Sequence, residues 1–266
     1  MEDRSQQIVA IAIFFLVLSW LSIILRTYVR AWMLKSFGWD DWLMVFAVLT
    51  FTVYLSCQLG GAAHGTGKHY WDIEPSERVK ALHYWYFCEI FYVVTSTILK
   101  MSLCVFLFRI AVSRLHVWIL AGVMIGSLIF GIGYVFLVIF QCNPISAWWE
   151  ISPGGIDQCI NLDAVVYTTY CASALNAVVD WTIGIVPFFI VKDLNMPKNR
   201  KMLVAGILGF AAIGSTATVV RLPYLHALRD VDDFLWGTTD MAIWSTVEPG
   251  IGITAGCMAT LRPLFR

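Results

Sequence analysis

The chain has 266 residues, of which 59% are hydrophobic and only 14% charged, and its formal net charge is +0 at pH 7. A water-soluble domain carries about 25% charged residues, so this composition excludes a soluble globular protein and points to lipid as the solvent. Zero net charge, without a basic tract or a base-reading motif, sets nucleic acid aside as a partner.

A membrane-spanning helix needs about 20 mostly apolar residues. Seven stretches qualify, giving helices at about 8–30, 41–63, 78–110, 116–141, 163–191, 201–227 and 235–262. The first follows an acidic start and has no small-residue cleavage site, so it is expected to stay as a helix rather than be removed as a signal peptide. Between the first and second, Gly38-Trp39-Asp40-Asp41-Trp42 stops one helix and starts the next, with Asp40 or Asp41 able to cap the orphan amides. Gly60-Gly61 and Gly65-Thr66-Gly67 are expected to loosen the exit from the second. The third carries Glu89 and Lys100, the fourth no charge, and the fifth Asp180. Asn195-Met196-Pro197 breaks the chain before the sixth, which carries Arg221; the seventh carries Asp240 and Glu248. Barrel strands would alternate polar and apolar residues over short segments, which this chain does not do. The expected fold is all-α: one polytopic seven-transmembrane-helix bundle over residues 1–266.

Lys and Arg placement sets the expected orientation. One set of helix ends holds Arg26, Arg30, Lys35, Arg109, Arg114, Lys192, Lys198, Arg200, Lys201, Arg262 and Arg266. The other holds Arg4, Lys68, Arg78, Lys80 and Arg229. The richer set belongs in the cytoplasm, which puts the N-terminus outside and the C-terminus inside. Aromatic residues are expected to mark the interfaces: Trp32, Trp39 and Trp42 inside, and Trp71, Trp148, Trp149 and Trp236 outside.

The intramembrane ionisable residues are the main functional signal, because a charge at mid-bilayer costs several kcal/mol unless it faces the bundle and finds a partner. Glu89 and Lys100 share one face of the third helix, roughly 16 Å apart along its axis, too far to pair with each other. Lys100 and Asp180 lie at matching depths on their helices and are the first expected pair. Arg221 is expected to meet Glu89, Glu248 or both. Asn176, one turn before Asp180, and Ser215 and Thr218 before Arg221, can satisfy the remaining donors and acceptors. Such a set is either a structural polar clasp or a site for a ligand, proton or substrate.

Of the seven cysteines, Cys142 and Cys159 fall in the outer loop after the fourth helix and are expected to form a disulfide over the bundle mouth, with Cys88 as the rival partner. His64, His69 and His83 lie near one another in sequence, but their spacing fits no zinc pattern, so no metal is expected. The glycine-rich turn lacks the Gly-Lys-Ser/Thr of a phosphate loop, no nucleophile elbow is present, and no cofactor is expected.

Taken in order, these features resemble the fungal rhodopsin-domain family of seven-helix membrane proteins. The resemblance rests on Arg26-Thr27-Tyr28-Val29-Arg30, Gly38 to Trp42, the Gly65/Gly67/His69 turn, Glu89 with Lys100, and Arg109-Ile110. It continues through Cys142-Asn143-Pro144 with Trp148, Asp180-Trp181 with Pro187, Arg221, Glu248-Pro249-Gly250-Ile251, and Leu261 to Phe265. It implies seven helices, a membrane location (plasma membrane or endomembrane) and a place among receptor-like proteins and members encoded in secondary-metabolite clusters. A retinal protein needs a lysine for its Schiff base, normally in the last helix. The seventh helix has none, and Lys100 on the third is the single intramembrane lysine. The acidic-Arg-Tyr and Asn-Pro-x-x-Tyr boxes of animal receptors are also missing, which argues against G-protein coupling. The leading expectation is a receptor-like sensor, not retinal-based, for a small apolar ligand. The alternatives are a membrane-embedded cyclase or isomerase using Glu89, Asp180 or Glu248 as acid or base, and a structural protein without a ligand.

Overall fold

The computed structural model describes residues 3–111, 113–149, 159–193, 214, 216–221, 223–224 and 233–261. Its long helices are α1 (Ser5–Thr27), α2 (Trp39–His64), α3 (Pro75–Phe108), α4 (Arg114–Ile139), α5 (Leu162–Asp193) and α7 (Thr239–Met258). Residues 216–221 are helical and form α6. A wide π turn, Tyr28–Met33, prolongs α1, and a short helical turn, Phe234–Gly237, precedes α7. There is no strand among the described residues. Most of the helix expected over 201–227, the Asn195-Met196-Pro197 break and the stretch after Leu261 lie outside the described residues.

Four of these segments are long and apolar enough to cross a membrane: Ser5–Met33, Trp39–His64, Pro75–Phe108 and Arg114–Ile139. At 34 residues, α3 is longer than a hydrocarbon core about 30 Å thick requires, so its first turns extend beyond it. That end begins with Pro75, whose missing N–H costs nothing at a helix start, and with Glu77 against the positive end of the helix dipole. The faces turned away from the bundle are apolar: Phe14, Val17, Leu21 and Ile24 on α1, and Ile125, Ile129, Ile132 and Phe136 on α4 are all exposed.

α3 is the centre of the bundle and packs against α2, α4, α5 and α7, while α1 lies between α2 and α7. Ala12, Phe15, Met44, Ala47, Phe51, Leu99, Ile253 and Cys257 form the main apolar core. Small residues on α7 bring the backbones close. A methyl group on Gly256 would come within 2.8 Å of Met44 Cε, and Gly250 faces the Phe15 ring.

Two clusters close the ends. At one end, buried Arg26 donates to Asp41 Oδ1 (2.8 Å), Asp40 Oδ2 (2.9 Å) and the Gly256 carbonyl (2.8 Å), and Arg30 and Arg109 also reach Asp40. Asp41 Oδ2 takes the Gly38 amide at 3.0 Å. Asp40 caps nothing, because its carboxylate is held by the arginines.

At the other end, the glycine turn is tight. α2 stops at His64 because Gly65 (φ 123°) and Gly67 (φ 95°) adopt left-handed backbone that a side chain would strain. Gly67 pairs with Arg4 and Leu235 through backbone hydrogen bonds, fastening the N-terminus and the start of α7 together. Gly60, expected to loosen α2, instead lets the Tyr84 ring of α3 lie against it. Trp148, Trp149 and Trp236 also pack against other rings of the bundle. They are half-buried: Trp148 stacks on Trp85 and Trp236 on His69, while Trp149 packs tilted against His83. The interfacial role fits Trp32, Trp39, Trp42 and Trp71, each at least 62% exposed.

Candidate ligand-binding site

Each charged side chain of the core sits on a polar stripe along one helix. On α3 the stripe is Glu89, Tyr92, Ser96 and Lys100; on α5 it is Thr169, Ser173, Asn176 and Asp180. Spacings of three and four residues put each set on one face, and the two faces meet.

Lys100 Nζ lies 3.2 Å from Asp180 Oδ1 and donates to Ser96 Oγ at 3.2 Å and to Asn176 Oδ1. Thr218 of α6 donates to Asp180 Oδ2 at 3.0 Å. Asn176 passes the network on, its Nδ2 donating to Glu248 Oε1 at 2.9 Å. The other Glu248 oxygen accepts from the Tyr92 hydroxyl at 2.8 Å. Pro249 follows Glu248 directly inside α7 and supplies no N–H, so the ladder is interrupted beside the carboxylate. Thus α3, α5, α6 and α7 are joined by one chain of charged and polar groups.

Arg221 and Glu89 stand apart from that chain. Arg221 lies 4.0 Å from Glu248, beyond hydrogen-bond distance. Its own hydrogen bonds go to Ser245 Oγ (3.2 Å) and Ser173 Oγ (2.9 Å), and it lies over the Tyr92 ring at 4.7 Å. Its Nε is buried without a partner among the described residues. Of the two acids expected near Arg221, the structure places Glu248 there. Glu89 accepts instead from the Tyr134 hydroxyl at 3.3 Å, and Tyr134 is shared with Thr169 at 3.0 Å. Ser215 lies outside the described residues.

These groups border a cavity of about 560 Å3, within the range of roughly 300–1,000 Å3 usual for small-molecule sites. Glu89, Tyr92, Lys100, Tyr134, Asn176 and Arg221 all line it, among aromatic and aliphatic side chains. Asp180 and Glu248 border a smaller cavity of about 110 Å3 on the far side of Lys100. The large cavity reaches the bundle surface between α4 and α5. Gly122, Gly126 and Ile129 of α4 and Leu175 of α5 line it, and all four are exposed. A methyl group on Gly122 or Gly126 would meet nothing within 4 Å.

Cys142 and Cys159 are joined in a disulfide, and Cys88 is a free thiol that lines the cavity. The bridge holds the stretch carrying Trp148, which covers Trp85 at the cavity's end. The three histidines are engaged separately: His64 with Glu77, His69 with Asp233 at 2.6 Å, and His83 against Phe87 and Trp149. Asp240 is held by Arg4 at 2.9 and 2.5 Å and takes no part in the core. Tyr92, Tyr134, Ser173 and Ser245 were not singled out from the sequence, because an uncharged hydroxyl in an apolar helix carries little signal. For Tyr92, Ser173 and Ser245 the three-residue spacing to Glu89, Asn176 and Glu248 was the available clue; Tyr134, on α4, had none.

Residues 25–266 match the fungal rhodopsin domain. The chain is 23% identical over 261 residues to the polyenoic acids biosynthesis gene cluster protein Ba17b of Metarhizium anisopliae, covering 92% of this chain and 70% of that protein. It is 24% identical over 159 residues to the satratoxin biosynthesis SC1 cluster protein 4 of Stachybotrys chartarum, covering 57% of this chain and 56% of that protein. The apolar spanning helices and a match over nearly the whole chain lead to one conclusion: this integral membrane protein belongs to the fungal rhodopsin-domain family.

Proposed function

We propose that the protein binds a small lipophilic molecule of secondary metabolism inside the helix bundle and acts as a receptor-like sensor of it. The observation that carries this reading is the cavity of about 560 Å3, whose mostly apolar wall converges on a few fixed polar groups. The opening between α4 and α5 gives a lipophile already dissolved in the bilayer a direct way in. The biosynthetic-cluster names of the two relatives support a place in secondary metabolism. In this reading the chain crosses the membrane seven times, with the N-terminus outside. Mass spectrometry of small molecules that co-purify from native membranes tests it. A defined lipophile should be enriched over a variant whose cavity is filled by Ser173→Phe; equal recovery from both would overturn the reading.

A second reading is a membrane-embedded cyclase or isomerase. It is favoured by Glu89, an acid on the cavity wall whose hydrogen bond comes from Tyr134 and which has no cation in ion-pair range among the described residues. Such a carboxyl group is free to give or take a proton at a bound substrate. Glu89→Gln that keeps ligand retention but abolishes conversion of the bound compound would favour the enzyme.

A further inference from the structure

The polar groups on the cavity wall specify the ligand's chemistry further, given that the cavity holds a lipophile. A guanidinium carries five N–H donors in a planar fork, and when buried it normally grips a carboxylate. Arg221 is 5% exposed, yet no carboxylate lies within hydrogen-bond distance of it among the described residues. Two of its donors reach serine hydroxyls and its Nε has no partner among the described residues. The Glu248 carboxylate accepts from Tyr92 on one oxygen and from Asn176 on the other, and at 4.0 Å it is too far to hydrogen-bond the fork. Each terminal nitrogen keeps a second N–H beyond its serine partner, and these, not the enclosed Nε, are the donors that Arg221 can offer to the cavity it lines.

The charges decide what kind of acceptor fits. Lys100 is matched by Asp180, and Arg221 is balanced at longer range by Glu248. Glu89 remains as an additional acid on the same wall. A ligand carboxylate would bring a further negative charge into a low-dielectric cavity whose cations are already balanced, which is costly. A neutral oxygen acceptor takes the free donors without that cost. We infer that the ligand is an uncharged oxygenated lipophile, such as a ketone, lactone or ester, whose carbonyl oxygen accepts from Arg221. Its apolar body then lies along α3 and α4 toward the gap at Gly122 and Gly126.

The test uses the full chain in phosphatidylcholine nanodiscs and three fluorescent probes: methyl cis-parinarate, cis-parinarate ionised at alkaline pH, and the hydrocarbon diphenylhexatriene. Energy transfer from protein tryptophan, Trp85 on the cavity wall among them, reports binding. Displacement by excess methyl oleate separates cavity binding from partition into lipid. The ester is expected to bind about ten-fold or more tightly than either the carboxylate or the hydrocarbon, and Arg221→Gln is expected to remove that preference while leaving hydrocarbon binding in place. A carboxylate that binds as tightly as the ester overturns the inference, as does an Arg221→Gln protein that keeps the preference. Should Arg221→Gln not fold, the discrimination by the unmodified protein decides alone. If no probe is displaced from the unmodified protein, the lipophile reading itself falls, and this inference with it.

Discussion

Arg26 Nε and Asp41 Oδ1 meet at 2.8 Å, each side chain only 1% exposed, at the point where α1, α2 and α7 converge. The same guanidinium holds Asp40 and the Gly256 carbonyl, so one side chain fastens three helices. Removing one member of a buried ion pair leaves the other charged and alone, which costs about 3–5 kcal/mol. Arg109 binds the same Asp40, but its side chain is 44% exposed, so solvent screens this contact and its loss costs less than that of Arg26. Arg26→Met is therefore expected to lower the unfolding midpoint of the detergent-solubilised protein far more than Arg109→Met. Equal losses would mean that the cluster acts through net charge rather than through this contact.

Lys100 and Asp180 provide the second stability test. Lys100→Met and Asp180→Asn should each destabilise the protein, and the double variant should cost less than the sum, because neither charge is left stranded. Asn176, Ser96 and Thr218 hold the same two groups, so the double variant recovers only in part. Strict additivity of the three stabilities would show that the two charges do not interact in the folded protein.

Much of the core was legible because charge in an apolar helix is conspicuous. Matching depths were enough to pair Lys100 with Asp180, and the shared loop was enough to pair Cys142 with Cys159. Arg221 was harder. Its depth allowed Glu89, Glu248 or both, and the outcome turned on Tyr134 of α4, whose hydroxyl donates to Glu89. Asp41 does cap the start of α2, taking the Gly38 amide as its place in the sequence suggests, but nothing in the sequence shows that it and Asp40 also hold arginines. Their arginine partners lie on other elements, and sequence spacing does not report contacts of that kind. The Gly65/Gly67 turn read as loose for the same reason: glycine permits both freedom and close approach, and the partners at Arg4 and Leu235 decide which. The cavity had no signature in the sequence, since its walls are assembled from residues of α2 to α7, and Gly122 and Gly126 mark only its opening between α4 and α5.

Orientation has a direct measurement. We propose, from the excess of Lys and Arg at the helix ends around Arg26, Arg109 and Lys192, that those ends lie in the cytoplasm. A glycosylation acceptor appended before Met1 is expected to be modified, and one appended after Arg266 to remain bare. The opposite pattern would invert the topology and would put the Cys142–Cys159 disulfide on the reducing side.

The opening between α4 and α5 makes a kinetic prediction. Gly122 and Gly126 line the cavity and also lie on the exposed face of α4, with open space where a Cβ would stand. A Cβ there meets no neighbour, so the fold should tolerate substitution, and replacing helical glycine gains up to about 1 kcal/mol per site in helix propensity. A Gly122→Leu, Gly126→Phe protein is thus expected to be at least as stable as the parent. If lipophiles enter through this gap, the bulk obstructs both entry and exit. Association and dissociation of methyl cis-parinarate, followed by stopped-flow energy transfer, should each slow by roughly ten-fold while the equilibrium affinity hardly changes. A site lost to filling would behave differently, with affinity falling and the remaining association rate unchanged. Entry past the disulfide-held Trp148 would leave the double variant as fast as the parent, and Trp148→Ala would then be the change that alters the rates.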